Sequence, residues 1–455
     1  MDSIDDLAYD IEYIRMLALV DEDEGLSEWE VLFGMLRDEY LLEDCRRLLA
    51  AAKGWPLSEH GRARVREEEG VLAMHINDWV RAEEILTDLL ESYRRLADTH
   101  GEARTLGHLG SIANFKGDAK SAEERFRQAQ LLFEALDDAD NLAINQYNLA
   151  DLYDNLARFR EAEQAYRVAL AQYRSLDRRD GEAATLNSLA STLRSLGRWD
   201  EAAALYEQST ALYRDLDDLH GVATSLHNAA ILEQLRGKWT GAEQGFRQAL
   251  SILQDLDDYL GQAQTLNTLG TLVQDQGRRQ EAEQFHEAAL HIYRESGDES
   301  GQARALSNLA NLKVDVGEYV EAESLYRQAY EKLRRLGRID TAIQVRKSLA
   351  DLARIRGNYS AVLSEYRQVL EEAEEIADRR LVAHICNNLG VTYAELGQWD
   401  AAESMYLRSL ELECQMQNPR GEIAARINLS DLAHERGERE QAQLYLEEAL
   451  RLARS

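Results

Sequence analysis

The sequence predicts an all-α protein, a solenoid of about ten stacked helix pairs, and three observations carry this prediction. Glycine recurs on a 40-residue period through most of the chain. Between the glycines, apolar residues recur three and four positions apart, which is the spacing of one helix face. No insertion or deletion interrupts the period from about residue 57 to residue 455. A constant period of this length is typical of repeats that bury their apolar faces against one another.

The first 56 residues lie outside the period. Three apolar stripes predict three helices there, which begin near Ile4, Trp29 and Leu41. With 15 acidic and 5 basic residues, this segment is more acidic than the rest of the chain. We expect residues 1–56 to cap the first repeat, and a separate docking or effector module is the alternative.

Each repeat consists of two helices and two turns, as residues 181–217 illustrate. Leu186, Leu189 and Leu193 form the apolar stripe of a first helix, and Gly197 ends it. Glycine suits this position because a helix commonly ends in a left-handed residue, which a Cβ disfavours. A second amphipathic helix ends at an aspartate that we expect to cap or turn the chain, and the same residue recurs as Asp137, Asp177, Asp217 and Asp257.

Small and aromatic residues alternate between the two helices. Alanine recurs in the second helix, as at Ala162 and Ala202, and small residues recur in the first, as at Ala190. An aromatic residue such as Tyr206 fills the space opposite. This combination resembles the tetratricopeptide repeat, in the 40-residue branch that includes kinesin light chains and many bacterial regulatory proteins. The resemblance implies a right-handed superhelix over residues 57–455, with ten repeats that begin at residues 57, 101, 141, 181, 221, 261, 301, 341, 381 and 421.

Composition limits the choice of partner and compartment. A net charge of −31, from 83 acidic and 52 basic residues, disfavours nucleic acid and anionic membranes and favours a basic protein partner. The alternative is that the acidic residues only solvate the helix surfaces. The absence of a signal peptide, of an 18-residue apolar stretch and of CxxC spacing predicts a soluble cytoplasmic protein, and the high ratio of Arg to Lys suggests a bacterial source.

The sequence contains no pattern typical of an active site. The phosphate-binding GxxxxGK[ST] loop, the zinc-binding HExxH motif and the GxSxG nucleophile turn are all missing. The acidic run that begins at Asp21 lacks the glycine and the closing glutamate of a calcium loop. We therefore predict a protein that is not an enzyme and has no metal or cofactor.

Asparagine recurs on the polar face of the first helices, which the resemblance places on a concave, peptide-binding groove. Asparagine is unfavourable inside a helix, but its amide donates and accepts hydrogen bonds, as a peptide backbone does. The first column of candidates is Asn187, Asn267 and Asn387. The adjacent column is Asn148, Asn228, Asn308, Asn388 and Asn428, and Asn311 belongs to a third. The alternative for the adjacent column is a bond to the neighbouring helix that fixes the repeats in place.

Basic residues on the same face could bind a carboxylate of the ligand, and these are Arg194, Lys347 and Arg354. Ordinary surface charge is the alternative. At the other end of the chain, the last helix is expected to expose an apolar face, because no repeat follows it. We expect Tyr445, Leu446, Ala449 and Leu450 to dock there onto a partner or a second copy.

Three functions fit the sequence. The first is a scaffold or regulatory subunit that binds a peptide or a partner protein in the groove. The second is a peptide-gated receptor that controls an effector through residues 1–56. The third is a structural solenoid that assembles end to end through its last repeat.

Overall fold

The computed structural model describes residues 4–38, 41–375, 379–416 and 418–454. Over these residues the chain forms 23 α-helices and no strand, which confirms the predicted all-α solenoid of helix pairs. Three helices precede the repeats: α1 (Ile4–Val20), α2 (Glu22–Asp38) and α3 (Leu42–Lys53).

The ten repeats follow as helix pairs, and the two helices pack against each other in repeats one to four and six to ten. The first helices are α4 (Glu59–His75), α6 (Thr99–Phe115), α8 (Ala139–Asn155), α10 (Arg179–Ser195), α12 (Leu219–Leu235), α14 (Tyr259–Asp275), α16 (Glu299–Asp315), α18 (Ile339–Ile355), α20 (Arg379–Glu395) and α22 (Pro419–Glu435). The second helices are α5 (Trp79–Leu96), α7 (Ala119–Ala135), α9 (Phe159–Ser175), α11 (Trp199–Asp215), α13 (Trp239–Asp255), α15 (Arg279–Glu295), α17 (Tyr319–Arg335), α19 (Tyr359–Glu375), α21 (Trp399–Gln415) and α23 (Arg439–Arg454).

The chain divides into two compact units, Met1–Arg236 and Gly237–Ser455. The division falls between the two helices of the fifth repeat. Helices α1–α3 belong to the first unit together with repeats one to four. The predicted division of the chain into residues 1–56 and 57–455 stays a prediction.

The turns between helices explain the period of glycine. Gly117 has φ of +79°, and a Cβ there would meet no other atom within 4 Å, so backbone conformation alone selects glycine. Ala157 occupies the equivalent position with φ of 55°, a left-handed conformation that a Cβ disfavours. At the second boundary, Asp137 turns the chain with φ of 56°, and the next residue, Asp138, caps α8 by accepting from the backbone of Asn141.

A second glycine series lies inside the first helices and has a different cause. A Cβ on Gly181 would lie 2.4 Å from the ring of Tyr173, so this glycine is required by close packing of the helices. The alanine columns act in the same way, because Ala190 and Ala202 are completely buried beside Tyr206. Close packing of small residues against aromatic rings therefore joins α9 to α10 and α10 to α11.

The N-terminal helices pack against the first helix of repeat one, and whether they serve as a cap or as a docking module stays a prediction. Trp29 and Phe33 stack with ring centroids 5.1 Å apart, inside an apolar cluster that includes Val65 and Leu72 of α4. Outside this cluster, the Arg64 guanidinium donates to both carboxylate oxygens of Glu30 at 2.8 Å. Apolar burial and ion pairs together join the cap to α4.

The last helix, α23, exposes only part of its apolar face. Leu446 and Leu450 are about half exposed, in agreement with the expectation. For Ala449 the expectation is wrong, because this residue is 3% exposed. Tyr445 is half-buried and packs against the cluster that contains Leu429 and Leu432 of α22. Docking through this helix stays a prediction. No helix in the described part of the chain is long and apolar enough to span a membrane.

Candidate functional site

The polar face of the first helices forms a series of side-chain hydrogen bonds between consecutive repeats. In each bond the two residues are 41 positions apart, so that the first column of one repeat meets the adjacent column of the next. The Asn pairs are Asn228 to Asn187 (3.3 Å), Asn308 to Asn267 (3.1 Å) and Asn428 to Asn387 (2.7 Å), with Nδ2 of the first residue donating to Oδ1 of the second. Tyr147 and Ser188 form the same contact through their hydroxyl oxygens at 3.0 Å.

The alternative for the adjacent column was a bond to the neighbouring helix that fixes the repeats in place, and these contacts are bonds of that kind. They use one donor and one acceptor of each pair. Asn187 and Asn228 are both half-buried, and no described residue bonds the Nδ2 of Asn187 or the Oδ1 of Asn228. Asn267 differs, because it is 4% exposed and its oxygen also contacts Nδ1 of His286 at 2.8 Å. A peptide-binding role for these residues stays a prediction.

The remaining asparagines have other surroundings. Asn388 lies near the hydroxyl of Tyr366, which donates to Asp351 at 3.0 Å. Asn311 accepts from the hydroxyl of Tyr326, so the third column also contacts the second helix of its own repeat. Asn148 is half-buried, and its side chain has no hydrogen bond to any described residue.

The three predicted basic residues have different surroundings. Nη1 of Arg194 is buried with no hydrogen bond in the described part of the chain. Arg194 lies near His227, whose pKa falls to about 4 because the ring is buried and faces this positive charge. Lys347 contacts Nε2 of His384 at 3.2 Å, and Arg354 pairs with Glu395 at 3.6 Å.

Repeats one and two contain a buried ion pair that the sequence did not predict. Nε and Nη2 of Arg104 donate to the two oxygens of Glu67 at 2.9 and 2.7 Å, and the Tyr93 hydroxyl donates to Glu67 at 2.6 Å. Burial would raise the pKa of Glu67, but Arg104 with His108 and Tyr93 outweighs it and holds this pKa below its usual range. Glu67 lies two periods before Tyr147, so extending the first column upstream would have found it.

The next residue, Glu68, has a different environment. It lies 3.4 Å from Nη1 of Arg37 in the cap, at the margin of hydrogen-bonding distance. Burial raises the pKa of Glu68 to about 7, since the nearby negative charges of Glu67 and Glu30 counteract Arg37. The polar face of the first helix of repeat one is therefore a charged network, whereas the first column carries a neutral amide at Asn187, Asn267 and Asn387.

The arrangement offers hydrogen bonds and charges for binding. Among the described residues, no group of three His, Cys, Asp or Glu side chains is placed to hold a metal ion. Cys45 and Cys386 are buried and Cys414 is exposed, and all three are thiols.

The chain belongs to the tetratricopeptide repeat family. The family profile matches residues 102–175, 147–215, 181–255, 221–295, 261–335, 340–415 and 381–455. The comparison with curated proteins finds no match.

Among solved structures, the chain is similar to a Rap protein complexed with competence and sporulation factor. That match has 14% identity and a TM-score of 0.55, and it covers 82% of this chain and 99% of the other. The apo quorum sensor NprR from B. thuringiensis matches with 16% identity and a TM-score of 0.55, over 78% of this chain and 99% of the other. BtubC from P. vanneervenii has 26% identity over 49% of this chain and 90% of its own, with a TM-score of 0.40. The first two matches agree with the solenoid fold.

Proposed function

We propose that this protein is a non-enzymatic regulatory or scaffold protein that binds an extended peptide segment along its first helices. The observation that carries the proposal is the repeated amide pair. In the pair of Asn187 and Asn228, one Nδ2 donor and one Oδ1 acceptor remain after the two amides bond each other. The pair of Asn387 and Asn428 repeats this arrangement.

A donor and an acceptor side by side are what one peptide unit requires from a binding surface. Rigid helices hold them in place, so little conformational entropy is lost when a ligand binds. Recognition of the backbone would be tolerant of sequence, and further side chains would supply selectivity. The protein would bind its partner in the cytosol. It would act on the partner by holding or covering the bound segment.

A peptide-gated receptor is the second candidate, and the contacts of the cap favour it. Arg64 of α4 pairs with Glu30 of α2, and Glu68 of α4 lies beside Arg37 of α2. A ligand that shifts α4 would therefore disturb the cap directly. Rap and NprR, which share the fold, are described as a complex with a factor and as a quorum sensor.

Aspartate substitutions separate ligand binding from contacts between repeats. In Asn187→Asp and Asn387→Asp, an oxygen remains to accept from the neighbouring asparagine, but the Nδ2 donor for the ligand is lost. As matched controls, Gln208→Glu and Gln368→Glu add the same charge at exposed positions of second helices. Peptides are selected from a random 12-residue display library on the full chain, and their affinities are measured by fluorescence anisotropy.

We expect the double aspartate variant to bind the selected peptides at least 10-fold more weakly, with an unchanged melting temperature. The double glutamate control should stay within 2-fold of the original chain. Equal weakening in both variants would show a general charge effect and overturn binding along the first helices. Failure to select any peptide would overturn the proposed function itself.

A further inference from the structure

The series of side-chain pairs along the first helices is interrupted between repeats two and three. In later repeats a first-column residue bonds the residue 41 positions further on, as Asn187 bonds Asn228. In repeat two the first-column residue is Gly107, which has no side chain to offer. Its counterpart in repeat three, Asn148, is half-buried and has no hydrogen bond to any described residue. The pair is therefore missing one amide.

Close packing does not require glycine at this position of α6. A Cβ on Gly101 or on Gly110 would lie 2.6 Å or 2.7 Å from an aromatic ring, so packing selects these two glycines. Apart from its own helix, the nearest described atom to a Cβ on Gly107 would be Oδ1 of Asn145, at 4.0 Å. Glycine inside a helix lowers stability relative to alanine. The consequence of Gly107 is therefore an open space next to Asn145.

Asn145 carries an acceptor that the fold does not use. Its Nδ2 donates to the carbonyl of Phe126 at 2.9 Å. Two repeats later, the hydroxyl of Ser225 donates to the equivalent carbonyl of Tyr206 at 3.1 Å, so a short hydroxyl is sufficient for this bond. Asn145 is 2% exposed, and its Oδ1 is buried with no hydrogen-bond partner in the described part of the chain. An unpaired buried acceptor is unfavourable and rare in folded proteins.

The two unpaired amides beside the space define what would fit there. Asn145 and Asn148 are three residues apart on α8 and are neighbours on one side of the helix. Oδ1 of Asn145 requires a donor, and Nδ2 of Asn148 requires the acceptor that Asn228 finds in Asn187. A primary amide supplies a donor and an acceptor in one group. A carboxylate lacks the donor, and an ammonium group lacks the acceptor.

We propose that the space beside Gly107 binds the carboxamide of a glutamine or asparagine side chain of the bound peptide. This carboxamide takes the place that an asparagine of the first column has in repeats four, six and nine. The inference rests on the proposed function, since the amide pairs on the same helix face would hold the peptide backbone. The pairs accept any sequence, and the carboxamide site supplies selectivity at one position of the ligand.

The probes are nonapeptides that differ in one side chain. Each is acetylated and amidated, with the sequence Ala-Gly-Ala-Gly before and Gly-Ala-Gly-Ala after a central residue, which is glutamine, glutamate or methionine. Glutamate keeps the shape of glutamine without the donor, and methionine has a similar length with neither group. Binding to the full chain is measured by isothermal titration calorimetry at an ionic strength that screens the net charge of the protein.

We expect the glutamine peptide to bind at least 5-fold more tightly than either of the others. Asn145→Ser should abolish this preference and leave the melting temperature unchanged, because serine keeps the structural bond as Ser225 does. Gly107→Asn should also abolish the preference, because its amide fills the space and pairs with Asn148. This internal pair should raise the melting temperature.

Gly34→Asn is the matched control. It makes the same substitution at a glycine of α2, outside the repeats, where the nearest described atom to a Cβ apart from its own helix backbone is Nη2 of Arg37 at 3.9 Å. The preference for glutamine should stay intact in this variant. Both variants replace a helical glycine, but the melting temperature should rise more for Gly107→Asn, which alone gains the pair.

The outcomes distinguish this inference from the proposed function. Absence of a preference for glutamine overturns the carboxamide site, and so does an equal loss of the preference in Gly107→Asn and Gly34→Asn. A preference that survives both Asn145→Ser and Gly107→Asn overturns it as well. If Asn187→Asp and Asn387→Asp still weaken the selected peptides, peptide binding stands although the carboxamide site has failed.

Discussion

The same repeat positions have different surroundings in two regions of the molecule, repeats one and two and repeats six and seven. In the former, Arg104 and Tyr93 converge on the buried carboxylate of Glu67. In the latter, Arg304 and Tyr293 keep the same positions, but the carboxylate is missing and a cavity lies beside the arginine. The difference indicates that one position in a first helix, Glu67 or Asn267, decides whether the arginine and the tyrosine have an internal carboxylate as acceptor.

The largest effect is expected from Glu67→Gln. This change removes the negative charge and leaves Arg104, whose side chain is 32% exposed, without its ion-pair partner; we expect a cost of about 3 kcal/mol, the low end of the range for buried pairs. Urea denaturation followed by circular dichroism measures the loss in the first unit. Glu161→Gln, at an exposed position of α9, is the control and should cost less than about 1 kcal/mol. A loss below about 1 kcal/mol for Glu67→Gln would show that Arg104 finds another partner.

The next largest effect is a pH dependence of stability that arises from Glu68 in repeat one. The pKa of Glu68 is raised from 4.5 to about 7, so the folded state favours the protonated carboxyl. The contribution of this group to stability is fully present below pH 4.5 and is lost as the pH rises through 7. We expect a loss on the order of 2 kcal/mol.

Glu68→Gln tests this dependence, because glutamine does not titrate. Urea denaturation at pH 5 and pH 8 should show that the original chain loses more stability than the variant at the higher pH. The equivalent residue in repeat six is Thr268, which is neutral, so Thr268→Ala is the matched control and should leave the pH dependence unchanged. Identical behaviour of the Glu68→Gln variant and the original chain would contradict the raised pKa.

A smaller difference in stability is expected between variants of Tyr93 and Tyr293. Tyr93→Phe removes a hydroxyl that donates to Glu67 and should destabilise the protein by about 1–2 kcal/mol. Tyr293→Phe removes a buried hydroxyl without a described partner and should be neutral or slightly stabilising in the absence of ligand. Thermal unfolding of the two variants side by side makes the comparison. An equal loss in both would show that Tyr293 has a hydrogen-bond partner in solution.

The smallest effect is expected from Arg304→Gln in the absence of ligand. Because this arginine is exposed and forms no ion pair with a described residue, the change in stability should stay within about 0.5 kcal/mol. Urea denaturation measures it, and Arg104→Gln serves as the comparison that should cost several times more. A large loss for Arg304→Gln would mean that the arginine already has an internal acceptor.

Much of the fold could be predicted from the sequence. Gly117 and its equivalents determined the period and the helix ends, since a left-handed turn selects glycine wherever it occurs. Ala202 and Tyr206 indicated the buried face. These features are local or recur at a fixed spacing, so the pattern of one repeat predicts the turns and the buried faces of the other repeats.

The candidate site was less predictable. The asparagine columns identified the polar face, but the bond between Asn228 and Asn187 depends on how consecutive first helices are offset. Glu67 was overlooked because its partners lie 26 and 37 residues later in the chain, and acidic residues are common on every helix. The cavity beside Arg304 could not be predicted, because it depends on the absence of a bridging side chain between two helices.

The sequence by itself determined the repeat, the pairing of helices within it and the face on which polar residues lie, because each follows from the spacing of side chains along a helix. The tertiary structure alone decided which polar groups are satisfied by other repeats and which are not. Whether a hydrogen bond forms depends on differences of a few tenths of an ångström in the distance between side chains of helices that are far apart in sequence. Arg104 is therefore paired with Glu67 in the first unit, whereas the equivalent Arg304 lies beside an open cavity in the second.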